Sequence, residues 1–251
     1  MEPSRITAVI LTRDEERNLP RAMTSLPHGM AVLVLDAQSQ DGTVAYARGA
    51  GARVIDRPWT DFVDARRFAF AQVRTPWLLM IDADEALDDV LCKAIVNAPE
   101  NAGGYLVKRT TYFRGHPMRM WSNESLLRLV RTDAAHIEPR PATGGEAAVH
   151  ERIVCDGPLG ELPGTLLHYS YPDRASYRRK FRSYTSIEAA GASRSLPRLI
   201  KEVVMTPVRL AWNLLRRGAL LDGPRGWYVA WYSAWYPAVV AMKSLFQPAT
   251  R

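Results

Sequence analysis

Two carboxylates one residue apart, Asp82 and Asp84, follow directly on the apolar run Trp77-Leu78-Leu79-Met80-Ile81. A short apolar run opened by a turn signal, here Thr75-Pro76, reads as a strand buried on both faces. An unpaired charge is very costly inside such a strand, so the aspartates belong at its carboxyl end. That is where open α/β sheets bind their ligands. Two acidic side chains there supply oxygen ligands for a divalent cation, and a cation so held can hold a diphosphate. Asp-x-Asp by itself is a weak signal, common by chance in solvated turns. The strand before it gives it weight.

Two further apolar runs also end in polar side chains. Ile6-Thr7-Ala8-Val9-Ile10-Leu11 leads to Thr12, and residues 31–35 lead to Asp36. A helix is expected after Asn18, which can cap it, with Pro20 in the first turn. A second helix should open at Asp41-Gly42-Thr43 and stop near Gly49 or Gly51, and a third has helical spacing over 62–73. With a strand at Arg53-Val54-Ile55, the order strand-helix-strand-helix-strand-helix-strand predicts a parallel sheet with right-handed crossovers. Thr12, Asp36 and Asp82 then converge on one edge. Any one of them could be a plain loop residue; three together with a paired carboxylate read as a nucleotide-sized pocket. No G-x-G-x-x-G follows the first strand and no G-x-x-x-x-G-K-[ST] occurs, which argues against a dinucleotide site and a P-loop.

The chain of 251 residues, 47% hydrophobic and 24% charged, suits one α/β domain with a helical appendage. Its two cysteines, Cys92 and Cys155, lack metal-type spacing and point to a reducing compartment. Residues 1–5 lead straight into a strand without a secretory signal, so a cytoplasmic location is expected. The net charge of +7 is uneven: His168 to Arg251 carry 14 Lys and Arg against 4 Asp and Glu. Nucleic acid and an anionic membrane surface are the two partners such a tail could serve.

Three stretches together resemble a known family: residues 6–13 with Asp14-Glu15-Glu16, then Val34-Leu35-Asp36-Ala37-Gln38-Ser39-Gln40-Asp41-Gly42-Thr43, then Ile81-Asp82-Ala83-Asp84-Glu85. They are similar to the family-2 glycosyltransferases of GT-A fold, most of all to the bacterial lipopolysaccharide-core β-glucosyltransferase branch. The likeness returns at Val149-His150-Glu151 and Leu167-His168-Tyr169-Ser170-Tyr171. It implies an α/β, Rossmann-like, mainly parallel sheet and inverting transfer from a nucleotide sugar, a UDP-hexose above all. It also implies roles. Asp36 would accept a hydrogen bond from the base, with Thr12 and Glu15 lining that pocket. Arg66 would face the nucleotide or its phosphates, unless Arg67 is the one turned inward. Asp82 would meet the ribose or the metal shell, Asp84 would ligate Mg2+ or Mn2+, and His168 would complete the metal site. Inverting transfer needs a base for the acceptor hydroxyl proton and a cation for the leaving diphosphate. Glu151 is the base that the resemblance implies.

Residues 1–170 are then expected to form the catalytic domain, with a nucleotide-binding half over 1–100 and an acceptor half over 101–170. Within it, a helix after Asp88, strands over 104–113 and 125–131, and a turn-rich loop over 114–123 are expected, with a mobile stretch over 134–145. Residues 171–251 would be a basic amphipathic helical extension. Its 17 uncharged residues from Gly226 to Met242, rich in Trp and Tyr and broken by Pro237, are too short for a span. Aromatic residues of this kind prefer the membrane boundary, so an interfacial or re-entrant helical hairpin is expected. That fits a peripheral protein on the inner face of the cytoplasmic membrane with a glycolipid acceptor, and no nucleic acid is expected. His28, His116 and His136 have no partner pattern. A haloacid-dehalogenase-type phosphatase also places Asp-x-Asp after a buried strand, but it leaves Asp36 and Thr12 unexplained. A non-catalytic membrane adaptor with a nucleotide pocket is the third reading.

Overall fold

The computed structural model describes residues 1–139 and 151–246. The first part alternates β1 (Ile6–Thr12), α1 (Leu19–Thr24), β2 (Ala31–Asp36), α2 (Thr43–Gly49), β3 (Arg53–Asp56), α3 (Phe62–Ala71) and β4 (Trp77–Asp82). There follow β5 (Glu85–Leu87), α4 (Asp89–Asn97), β6 (Gly104–Phe113), β7 (His116–Arg131), β8 (Ala135–Pro139), β9 (Glu151–Cys155) and β10 (Leu159–Tyr171). The last part is helical: α5 (Arg174–Gly191), α6 (Leu196–Leu215) and α7 (Gly223–Phe246). Eight strands form one sheet in the order β3-β2-β1-β4-β7-β6-β10-β5, and β8 and β9 form a separate antiparallel pair. The neighbours of β1 are parallel, while β4–β7 and β10–β5 run antiparallel.

Strand alternation explains the core. Along β4, Trp77, Leu79 and Ile81 enter one apolar cluster with α1 and α4 residues Leu19, Leu91 and Ile95. Leu78 and Met80 enter another with α3 residues Ala65 and Ala69. Successive side chains point to opposite faces, so covering both faces with helices makes the whole run apolar.

The described chain clusters into two compact units. The first comprises Met1–Thr110, Asn123–Pro139 and Glu151–Ser170. The second holds the described residues of Thr111–Ser122 and Tyr171–Arg251, gathered on Phe113, Met118, Met120, Tyr177, Leu214 and Val229.

Several local expectations change. Asn18 makes no cap bond; its amide donates to Glu15 Oε2 at 2.8 Å. The turn-rich stretch after Phe113 is a tight hairpin. Arg114 and Gly115 both take positive φ, 54° and 74°, the geometry that two-residue hairpins prefer. β7 therefore starts at His116, and strand pairing overrides the local turn residues of 117–123. Residues 135–139 are a strand paired with β9, while 140–150 lie outside the described residues. α7 is one continuous helix through Pro237, and Gly226, Ala230, Ala234, Ala238 and Ala241 on it are buried, so the chain does not break at Pro237. Small residues at this spacing let helices approach closely; a Cβ on Gly226 would meet Ala219 O at 1.7 Å.

Leu79 is 1% exposed within the larger cluster. Leu79→Ala should lower stability by about 3 kcal/mol in urea denaturation, the transfer loss plus an unfilled cavity.

Candidate nucleotide and metal site

Strand register brings the polar strand ends together. Thr12 of β1 pairs with Asp36 of β2, and Leu11 pairs with Asp82 of β4. Asp36 is 1% exposed, and its carboxylate accepts from Thr12 Oγ1 at 2.7 Å, Ser39 N at 2.7 Å and Ser39 Oγ at 2.6 Å. A carboxylate accepts about four hydrogen bonds, so one position remains for a ligand. Thr12 orients Asp36 from beneath. The two loops above these strands are laced together: Asp14 N donates to Ser39 Oγ at 2.8 Å, Gln40 N to Asp14 Oδ1 at 2.7 Å, and Glu15 N to Thr43 Oγ1 at 2.8 Å. Asp14 and Gln38 take positive φ of 55° and 60° to allow this, a cost the lacing offsets.

Asp36 lines a small cleft with Leu11, Leu35, Arg57, Trp59 and Ala65. Arg57 Nη2 pairs with Asp64 at 2.8 Å, while its buried Nη1 has no hydrogen-bond partner among the described residues. Arg57 carried no sequence signal, because a basic residue after a short strand is ordinary.

At the end of β4 the charges form a connected network. Arg66, on α3 and buried, donates to Asp82 Oδ1 at 2.8 Å, and Arg128 of β7 reaches Asp82 Oδ2 at 3.2 Å. Arg67 turns away, donating to Ile137 O at 3.0 Å, so Arg66 is the inward arginine. The cap of α3 fixes this choice, Asp61 accepting from Asp64 N at 2.8 Å. Arg128 also donates to Glu85 Oε1 at 2.7 Å, and Glu85 accepts from Arg109 at 3.2 Å and from Asp82 N at 2.9 Å. Burial resists the charge on Asp82, but Arg66 and Arg128 outweigh it and hold this carboxyl well below the usual carboxylate range. Burial pushes Glu85 upward, opposed by Arg128 and reinforced by Asp82. Glu85, Arg109 and Arg128 are the members of this cluster that the sequence did not single out. They sit on three different strands, and nothing in their local spacing marks them.

Asp84 lies in the same turn, between Asp82 and Glu85. His168 of β10 lies opposite Glu85 of β5, and Tyr169 N donates to Asp84 O at 2.8 Å. This sets His168 Nε2 3.4 Å from Asp84 Oδ2. Metal bonds of about 2.0–2.2 Å to oxygen and nitrogen need donors near this separation, so the pair fits a divalent cation. Among the described residues no group of three His, Cys, Asp or Glu is placed to hold a metal. Two protein ligands suffice where substrate phosphates and water complete the shell. Glu15 lies in the β1–α1 turn beside Asn18. Glu151 opens β9, and its side chain lies outside the described residues.

A parallel β1–β4 half, an antiparallel continuation and paired carboxylates at the end of the central strand define a GT-A glycosyltransferase fold. The mannosyltransferase PcManGT from Pyrobaculum calidifontis, solved with GDP-Man and Mn2+, shares it with a TM-score of 0.52 at 13% identity, over 98% of this chain and 89% of that one. A profile of Glycosyl transferase family 2 matches residues 7–153, and the chain belongs to that family. The lipopolysaccharide core biosynthesis glycosyltransferase LpsC of Rhizobium meliloti is 27% identical over 239 residues, 90% of this chain and 86% of that protein. A glycosyltransferase of Rickettsia typhi is 30% identical over 199 residues, 74% of this chain and 67% of its own length.

Arg128→Met would leave Asp82 and Glu85 short of a shared cation and should cost about 3 kcal/mol of stability at neutral pH. Because Asp82 is depressed in the folded state, its contribution is present above about pH 4 and fades as pH falls. Denaturation measured from pH 7 to pH 3 should therefore show the gap between wild type and variant narrowing.

Proposed function

We propose that this protein is an inverting transferase that moves a hexose from a UDP-linked donor to a hydroxyl of a lipopolysaccharide-core or related cell-envelope glycolipid. It works at the inner face of the cytoplasmic membrane, held to the anionic surface by its C-terminal helices. The observation that carries this reading is the Asp84–His168 pair, on the sheet edge where the Asp36 cleft also opens. The name of LpsC, a lipopolysaccharide core enzyme, supports the acceptor class.

The nucleoside base enters the cleft, where Asp36 accepts its N–H and Arg57 Nη1 donates to a base carbonyl. Glu15, from the β1–α1 turn, joins Asp36 in holding the nucleoside. Asp82 meets the ribose or the cation's shell, while the two arginines keep it ionised. Arg66 adds positive charge near the phosphates. Asp84 and His168 would hold Mg2+ or Mn2+, which when bound would supply charge stabilisation for the departing diphosphate. Glu151 takes the proton of the acceptor hydroxyl on the opposite face of the sugar. The acceptor oxygen bonds to the anomeric carbon as the bond to the diphosphate breaks, and the configuration inverts.

With UDP-glucose, Mn2+ and purified core glycolipid, the wild type should release UDP in step with glycolipid modification. Asp84→Ala should lose transfer by at least about a hundredfold with its circular dichroism unchanged. Phosphate release from simple esters without sugar-nucleotide turnover would reject the proposal. Glu151→Gln should keep UDP binding by calorimetry and lose turnover; unchanged turnover would remove Glu151 from the chemistry.

A further inference from the structure

Helix α6 is amphipathic the wrong way round for a helix of a soluble unit. Its buried positions include two polar residues, Thr206 and Asn213. Thr206 is satisfied within the helix, donating to Glu202 O at 3.0 Å, and Asn213 reaches Ala230 O on α7 at 3.4 Å. Its outward positions are apolar. Leu196, Ile200, Val204, Val208 and Leu215 are 59%, 57%, 64%, 57% and 70% exposed. At 3.6 residues per turn these five fall within an arc of roughly 120°. Lys201 and Trp212, the latter 56% exposed, lie roughly 20° and 40° past its edge, and Arg198 and Arg216 about 80° past it. A helix of 20 residues carries this stripe along about 30 Å. Contiguous exposed apolar surface of that extent marks a binding face.

We infer that this outer face of α6 is the surface by which the chain lies on an anionic lipid bilayer. This deepens the membrane reading above, on which it rests, and moves the contact from α7 to α6. Charge decides between a bilayer and a second copy of the chain. Residues 196–217 carry five basic side chains and one acidic, Glu202, and Arg209 on the same helix already pairs with Glu202. A second copy would set like charges against one another with no carboxylate to meet them, whereas acidic headgroups complement them. Tryptophan at the rim of the stripe suits the headgroup level, and the same unit exposes Trp227 and Trp231 by about half. Among the described residues no helix is long and apolar enough to cross a membrane, so α6 lies in the plane of the surface.

The test is flotation of the full chain with vesicles of phosphatidylcholine alone or mixed with phosphatidylglycerol, without glycolipid or nucleotide. The wild type should float with the anionic vesicles at low salt and be released as salt rises. I200Q/V204Q/V208Q, changed only at exposed positions, should fold with an unchanged thermal midpoint and float at least tenfold less. R198Q/R216Q should weaken flotation and flatten its salt dependence. Flotation of the triple variant equal to wild type would overturn the assignment to α6 while leaving the membrane reading in place. A wild type that stays in the supernatant at low salt would overturn both. A wild-type dimer that the triple variant converts to monomer, without vesicle binding, would show a second copy as the occupant and overturn the proposal.

Discussion

An ionised carboxylate at the tip of an all-apolar strand has lost most of its water, and at Asp82 two guanidiniums replace it. Arg66 comes from a helix packed on one face of the sheet, and Arg128 from the antiparallel neighbour of β4. Arg128 is shared with Glu85, whose carboxylate also accepts the Asp82 backbone N–H and so closes the turn between β4 and β5. The arrangement is a chain of alternating charges, Arg66, Asp82, Arg128, Glu85, Arg109 and Glu124. Removing any inner member strands its neighbours in low dielectric, which makes the network rigid as well as costly to disturb.

The surroundings of Asp36 follow a different physical logic. Around Asp36 the groups are hydroxyls and backbone amides, and left-handed conformations at Asp14 and Gln38 let two loops exchange hydrogen bonds. Neutral donors around one carboxylate leave it an acceptor with a vacant lone pair, suited to reading an N–H. The edge of one sheet thus gives two aspartates of the same chemical type different surroundings, neutral donors at Asp36 and guanidiniums at Asp82.

The helical unit shows how far average hydrophobicity can mislead. α7, richest in aromatic residues, contributes its small-residue face to the packed interior, and its Lys243 donates to Thr185 at 2.7 Å and Ser186 at 2.8 Å of α5. α6, with charges scattered along it, leaves a long apolar stripe uncovered. Which helix becomes the middle one depends on close approach, and Gly226 with the alanines at 230, 234, 238 and 241 allows that on α7.

The sequence by itself determined the alternating strands and helices of residues 6–82, because period-two and period-3.6 patterns and turn residues are local. It placed Thr12, Asp36, Asp82 and Asp84 at strand ends, since a charge following a buried strand has few other places to be. It also carried the family, through motifs that each span only a few residues. The tertiary structure alone decided that Arg66 rather than Arg67 turns inward, that Arg128, Arg109 and Glu85 complete the charge network, and that His168 stands beside Asp84. Those partners lie up to 84 positions apart and meet through helix packing or antiparallel register, which no local pattern encodes. It decided too that residues 116–123 extend a strand, and that the exposed apolar face belongs to α6. In each case the outcome depends on which neighbour supplies a hydrogen bond, a counter-charge or a surface to pack on, and only the folded chain supplies neighbours.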